Sequence, residues 1–230
     1  AGIDSLINQS GLSKKELTTE DLSFGIIPRL NVASRLEHAN TSLQLLLSSS
    51  KSQSDQIAKY LNKLNKQRQL ITGKALIEAN QQINSNTHTN EMNILLAGKP
   101  SWIPGILGLI AGQLSEAYYR PAIAVSGQGN ILRASARSIP EFNMIDALSS
   151  CGDIFEQFGG HAMAAGFTIK RDNLKDFREI ISSIANETLE NIPKGPELII
   201  DAEITPNWLN QETMSFLTSL EPYGNGNPTP

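Results

Sequence analysis

The chain has 230 residues, 40% hydrophobic and 18% charged, an ordinary globular balance that excludes wholesale disorder. No apolar run approaches the roughly 18–20 residues that cross a bilayer, and the single cysteine, Cys151, excludes a disulfide scaffold and a zinc ribbon. The formal charge of −4 divides into +3 over residues 1–90, −3 over 91–190 and −4 over 191–230, and two stretches, 56–77 and 117–140, hold no acid at all. Local basic patches of that kind can attract phosphates even on a mildly acidic chain. The opening AGIDSLINQS is neither basic nor apolar and lacks an initiator Met. No secretion signal is therefore expected, the expected location is cytoplasmic, and the chain reads as a piece of something larger.

Taken in order, residues 33–47 have a helical pattern that ends in Ser48-Ser49-Ser50. A long helix is predicted from about Ser52 or Ser54. Its apolar seam is Ile57, Leu61, Leu64, Ile71 and Ala75, with Lys59, Lys63 and Lys66 on one flank. INSNTHTN (83–90) has turn composition. ILLA (94–97), AIAVS (122–126), ILRASAR (131–137) and GFTIK (166–170) read as strands, and GILGLIAGQLSEAYY (105–119) as a helix. SGQGN (126–130) supplies a hairpin turn. Asp153 is expected to cap a short helix DIFEQF, and Asp172 a helix running to about Leu189. PKGP (193–196) is a second linker, followed by a strand ELIIDAEI (197–204) and a short helix over 206–220.

The three histidines, His38, His88 and His161, are far apart, and no P-loop, G-x-S-x-G or dinucleotide fingerprint is present. A complete active site is not expected here. Four stretches carry what chemistry there is. In FGGHAMAAGF (158–167), Gly159 and Gly160 admit close backbone approach, and His161 can donate to or oppose an anion; the segment reads as a ligand-facing loop. In LRASARS, a strand would put Arg133, Ser135 and Arg137 on one face, two guanidiniums with a hydroxyl between them, which suits a phosphate. In SWIPGILGLIAGQL, Trp102 either stacks on a base or lids the core, with equal weight, and the helix start after Pro104 could hold an anion. In PRLNVASRLEHA, Pro28 fixes a turn, and Arg29, Asn31 and Arg35 are polar groups spaced for one side of a turn and helix start.

Together these stretches resemble the RecJ family of single-strand-specific 5′→3′ DNA exonucleases in the DHH phosphoesterase superfamily. FGIIPRLNVASRLEHA is similar to the segment ending that family's DHH domain, with Val32 and Ser34 where Ala and Gly are usual. LNKLNKQRQL resembles its connecting helix. WIPGILGLIAGQLSEAYYRPAIAVS, ASARSIPEFNM and FGGHAMAAGF resemble its DHH-associated domain, and LEPYGNGNPTP the entry to its OB-fold. The resemblance implies an α/β fold: the end of a DHH domain over 1–50, a long connecting helix over 51–90, a mixed-sheet DHH-associated domain over 91–192 and the beginning of an OB-like β domain over 193–230.

It also implies a division of labour. Ser135 and Arg137, with Arg133 beside them, would hold the terminal 5′-phosphate, and His161 with Gly159 and Gly160 would face the scissile phosphate. Asn31 and Arg35 would line the path, and Lys59, Lys63 and Lys66 would contact the backbone without reading sequence. Manganese or magnesium would be bound by a preceding domain and none by this chain, which alone should not hydrolyse DNA. The expected partner is single-stranded DNA, with a single-strand-binding protein or helicase as candidate protein partner, and no membrane. The alternatives are a fragment of an oligoribonuclease or cyclic-dinucleotide phosphodiesterase of the superfamily, or a non-catalytic nucleic-acid-binding module.

Overall fold

A computed structural model describes residues 1–15, 17–85, 93–190, 195–224 and 226–230. His88, most of the expected turn at 83–90 and the Pro193–Lys194 half of the expected linker lie outside the described residues. The chain divides into two compact units, 1–66 with 197–230, and 67–196. Among the described residues no helix is long and apolar enough to cross a membrane.

In the first unit, α1 (Gly2–Ser10) stops at Gly11, whose φ of 75° is open to glycine without a Cβ penalty. A wide helical turn, Asp21–Ile26, runs directly into α2 (Ile27–Leu36), and α3 (Asn40–Leu47) follows. The single helix expected over 33–47 is thus two. The chain breaks at Glu37 (φ −142°, ψ −116°), and α3 turns back so that Ser42 donates to the Leu30 carbonyl at 2.6 Å. The cause is burial: an unbroken helix would carry Leu45 about 13 Å beyond Leu36. Folded back, Leu45 joins Leu6, Val32, Ala33 and Leu61 in one core.

The long helix is present as α4 (Lys51–Ser85), 35 residues. It supplies 51–66 to the first unit and 67–85 to the second. Its buried line runs through Ala58, Leu61, Thr72, Ala75 and Ala79, while Ile57 and Ile71 are only half-buried. In the second unit α4 is fastened at Glu78. That carboxylate accepts from Lys99 Nζ at 2.5 Å and Trp102 Nε1 at 2.8 Å. These two donors hold the Glu78 carboxyl below its ordinary value. A depressed folded-state pKa contributes stability at neutral pH that is lost as pH falls through it. Glu78→Gln is therefore expected to shrink the drop in melting temperature between pH 6 and pH 3; an unchanged drop would mean the fastening is not electrostatic.

The second unit is built on five strands in the order β1-β2-β3-β5-β4: Leu95–Gly98, Ala122–Ser126, Ile131–Arg137, Phe155–His161 and Ala164–Lys170 for β1 to β5. β1 and β2 are parallel and the other pairs antiparallel, so β1, β2 and β5 run the same way. The crossover α5 (Leu107–Tyr118) packs on one face of β2 and β3. On the other face α6 (Met144–Ser149) and α7 (Leu174–Leu189) close a core around Val125, Leu132, Phe167, Ile169, Phe177 and Ile181. Asp172 lies in a short turn ahead of α7 rather than capping it; the residue at the cap is Asn173, which makes no side-chain cap bond.

Two expected elements change type. The segment DIFEQF is not a helix: Asp153 and Ile154 lie in a turn and the strand starts at Phe155. Phe155 pairs with Ile169, and a bulge between Phe155 and Gln157 puts Phe158 on the same face as Phe155, with ring centroids 5.3 Å apart. An i, i+3 aromatic spacing, normally a helical signal, is here the product of that extra residue. The segment 197–204 is not a strand. A strand exists through its partner's hydrogen bonds, and among the described residues nothing pairs with it; Leu198, Ile199 and Ile200 stand 85%, 80% and 74% exposed. The helix beyond it is present as α8 (Gln211–Ser219), capped by the Asn210 side chain accepting from the Thr213 N–H at 3.0 Å.

Candidate nucleic-acid interface

The β-register brings the arginine strand and the glycine–histidine segment onto one face of the second unit. Residues directly opposite in a ladder share a face. Arg137 pairs with Ala164, which pairs with His161; Ser135 pairs with Gly166, which pairs with Gly159; Arg133 pairs with Thr168, which pairs with Gln157. Each row crosses β3, β5 and β4. Since neighbouring strands lie about 4.8 Å apart, Arg137 and His161 backbones are about 10 Å apart, close enough for one ligand to touch both. Between Arg137 and His161 the middle strand presents Ala164 and Gly166, so the surface between them is shallow; Thr168 and Lys170 follow on the same face.

The segment 158–161 is therefore not a loop. Gly159, Gly160 and His161 form the end of β4, an edge strand, and the turn is Ala162–Met163. Gly160 has φ 158°, and a Cβ there would overlap the Ala164 carbonyl oxygen and lie 2.5 Å from Ala165 Cα. Glycine is needed for the hairpin to close. Gly159, by contrast, has open space where a Cβ would be. The turn is tied to the end of β3: the Ser138 N–H donates to the Met163 carbonyl at 2.9 Å, and the Met144 N–H donates to the Ala162 carbonyl at 2.9 Å. His161 is exposed, and its Nδ1 accepts from the Met163 N–H at 3.3 Å. That bond fixes the ring and leaves Nε2 to meet a ligand as a donor.

On the other side of the face, Arg137 Nη1 donates to Ser135 Oγ at 3.2 Å and to the Ala136 carbonyl at 2.8 Å. The first turn of α5 lies against this pair. A Cβ on Gly108 would sit 2.8 Å from Arg137 Nη2 and 3.2 Å from Ser135 Oγ. A cleft of about 600 Å³ opens beside it, lined by Gly112, Glu116, Tyr119, Arg137, Met163 and Ala164 among others. Arg133 is exposed on the same strand face, nearer the β2–β3 turn.

Trp102 is a correction. It is 5% exposed, its ring N–H is held by Glu78, and its carbonyl accepts from Ser126 Oγ. It cannot stack on a base; it fastens α4 and the loop before α5 to β2. Asn31, Arg35, Lys59, Lys63 and Lys66 belong to the first unit. Asn31 and Arg35 lie one helical turn apart on α2, and the three lysines line an exposed flank of α4. Gly108 was not singled out from the sequence. Its signal, the spacing of Gly108 and Gly112 on one face of α5, reads equally well as tight helix packing.

Among the described residues no three His, Cys, Asp or Glu converge to hold a metal. Asp146 accepts from the Asn143 side chain at 2.6 Å within the start of α6. Burial pushes the Cys151 thiol up to about 11, which keeps it protonated and unreactive near neutral pH.

Residues 91–187 match the DHHA1 domain family. The whole chain is 33% identical over 231 residues to the single-stranded-DNA-specific exonuclease RecJ of Bacillus subtilis and 32% identical over 237 residues to that of Haemophilus influenzae. It covers 29% and 41% of their lengths, so the chain spans about a third of the curated relatives it matches. The fold is similar along the entire chain to RecJ of Thermus thermophilus, solved with Mn2+ and with Mg2+, at a TM-score of 0.84 and 28% identity, covering 33% and 35% of those chains.

Proposed function

Because the chain belongs to the RecJ family and carries that family's DHHA1 domain, we propose that it is the strand-holding part of a 5′→3′ single-stranded-DNA exonuclease, a phosphodiester hydrolase of DNA repair and recombination. Ser135 and Arg137 grip the terminal 5′-phosphate: the guanidinium supplies charge-assisted donors and the hydroxyl a further one. Arg133 takes a neighbouring phosphate. His161, from Nε2, donates to the phosphate near the bond to be cut, and Gly159 leaves the approach to it open. Asn31, Arg35, Lys59, Lys63 and Lys66 make separate contacts to the phosphodiester backbone, which position a strand without reading it. The observation that supports this reading is the row Arg137–Ala164–His161, which puts Arg137 and His161 on one face.

Hydrolysis belongs to the longer protein, and any manganese or magnesium it uses is held by residues outside this chain, which by itself does not cleave DNA. The setting is cytoplasmic, with a single-strand-binding protein or helicase as candidate partner. The test is a fluorescence-anisotropy titration of the chain with 5′-phosphorylated and 5′-hydroxyl single strands at two salt concentrations. The phosphorylated strand should bind more tightly, and both should weaken as salt rises. Equal affinity for the two ends would remove the end-holding role, and tighter binding of dinucleotides than of longer strands would move the chain to the superfamily's dinucleotide phosphodiesterases.

A further inference from the structure

The carboxyl ends of β1, β2 and β5 meet at the end of the sheet away from Arg137 and His161, and a groove of about 510 Å³ opens there on the α7 face. It lies wholly within the second unit and on the opposite face from Ser135 and Arg137. Four cations from three segments reach it: Lys99 after β1, Arg171 after β5, and Lys175 and Arg178 from α7. Among the described residues no carboxylate lines it. Its floor is apolar, made by Leu96, Val125, Leu132 and Leu174.

The four cations are not equally engaged. Lys99 pairs with Glu78 at 2.5 Å. Arg171 spends its guanidinium on the Gly127 carbonyl at 2.9 Å and the Gly129 carbonyl at 3.0 Å, which pins the β2–β3 turn as one wall. Lys175 is only loosely paired, 3.9 Å from Glu179, and Arg178 reaches the Leu96 carbonyl at a marginal 3.5 Å. Lys175 and Arg178 stand one turn apart on α7 and are both exposed.

We propose that this groove is a second phosphate site and that its ligand is a free nucleoside monophosphate. Lys175 and Arg178 take the phosphate, and the planar base lies on the aliphatic floor. The size supports a whole nucleotide rather than a bare anion, since small-molecule sites occupy about 300–1,000 Å³ and combine an apolar lining with a few convergent polar groups. A floor of four aliphatic side chains would serve no purpose for inorganic phosphate.

Isothermal titration of the full chain with dAMP, deoxyadenosine and inorganic phosphate tests this. Saturable dAMP binding is expected, with deoxyadenosine and phosphate each at least tenfold weaker. Lys175→Gln with Arg178→Gln, made in an Arg137→Ala background that disables the other phosphate site, should weaken dAMP at least tenfold relative to Arg137→Ala alone. Should the double variant melt below the parent, Lys175→Gln alone carries the same expectation at about threefold. No saturable dAMP binding in the Arg137→Ala background, undiminished binding in the further variants, or phosphate binding as tightly as dAMP would each overturn the proposal.

Discussion

Gly160→Ala is expected to destabilise the second unit by about 2–4 kcal/mol, the combined scale of backbone strain and overpacking. The new methyl would meet the Ala164 carbonyl and Ala165 Cα, backbone atoms that cannot rotate away as a side-chain end would. The hairpin must open or β4 must shift, and either movement displaces His161. Gly159→Ala, one residue earlier, has open space and should cost less than about 1 kcal/mol. Urea denaturation of the pair checks the difference. Similar losses in both variants would mean that the steric reading of this edge strand is wrong.

Arg137→Ala should weaken binding of a 5′-phosphorylated single strand about 10–100-fold, as removal of a charge-assisted hydrogen bond worth about 1.5–3 kcal/mol implies. The 5′-hydroxyl strand should lose far less. Arg137→Lys should restore only part of the difference, because a point charge cannot reproduce the two-pronged guanidinium contact. Anisotropy titrations of the three proteins with both strands measure it. An equal loss on the two ends would reassign Arg137 to general backbone attraction. The prediction depends on the guanidinium being held by Ser135 and the Ala136 carbonyl rather than swinging freely in solvent.

What the sequence disclosed and what it hid follow from the range of the interactions involved. β2 and β3 were legible to the residue because AIAVS is a short apolar run and ILRASAR alternates, on either side of a glycine-rich turn, a local signal. The alternation also placed Arg133, Ser135 and Arg137 on a common face. That His161 shares this face was not legible, because it depends on β5 lying between β3 and β4, a non-local pairing. The segment 155–161 misled for a related reason: a bulge gives Phe155 and Phe158 a shared face at helical spacing, and the ring contacts with Phe167 and Phe177 that justify it come from elsewhere in the chain. Trp102 was undecidable from composition, since its partner Glu78 lies 24 residues earlier. The apolar run 198–200 looked like a strand because propensity reads the side chains, whereas pairing requires a neighbour.

The most direct measurement is a two-dimensional amide NMR titration of the nitrogen-15-labelled chain with a short 5′-phosphorylated single strand. The amides of 135–137 and of 159–163 should shift together and saturate at the same strand concentration, because one ligand end touches both strands across β5. Shifts confined to one of the two segments, or saturation at different concentrations, would mean that the shared face is not a shared site.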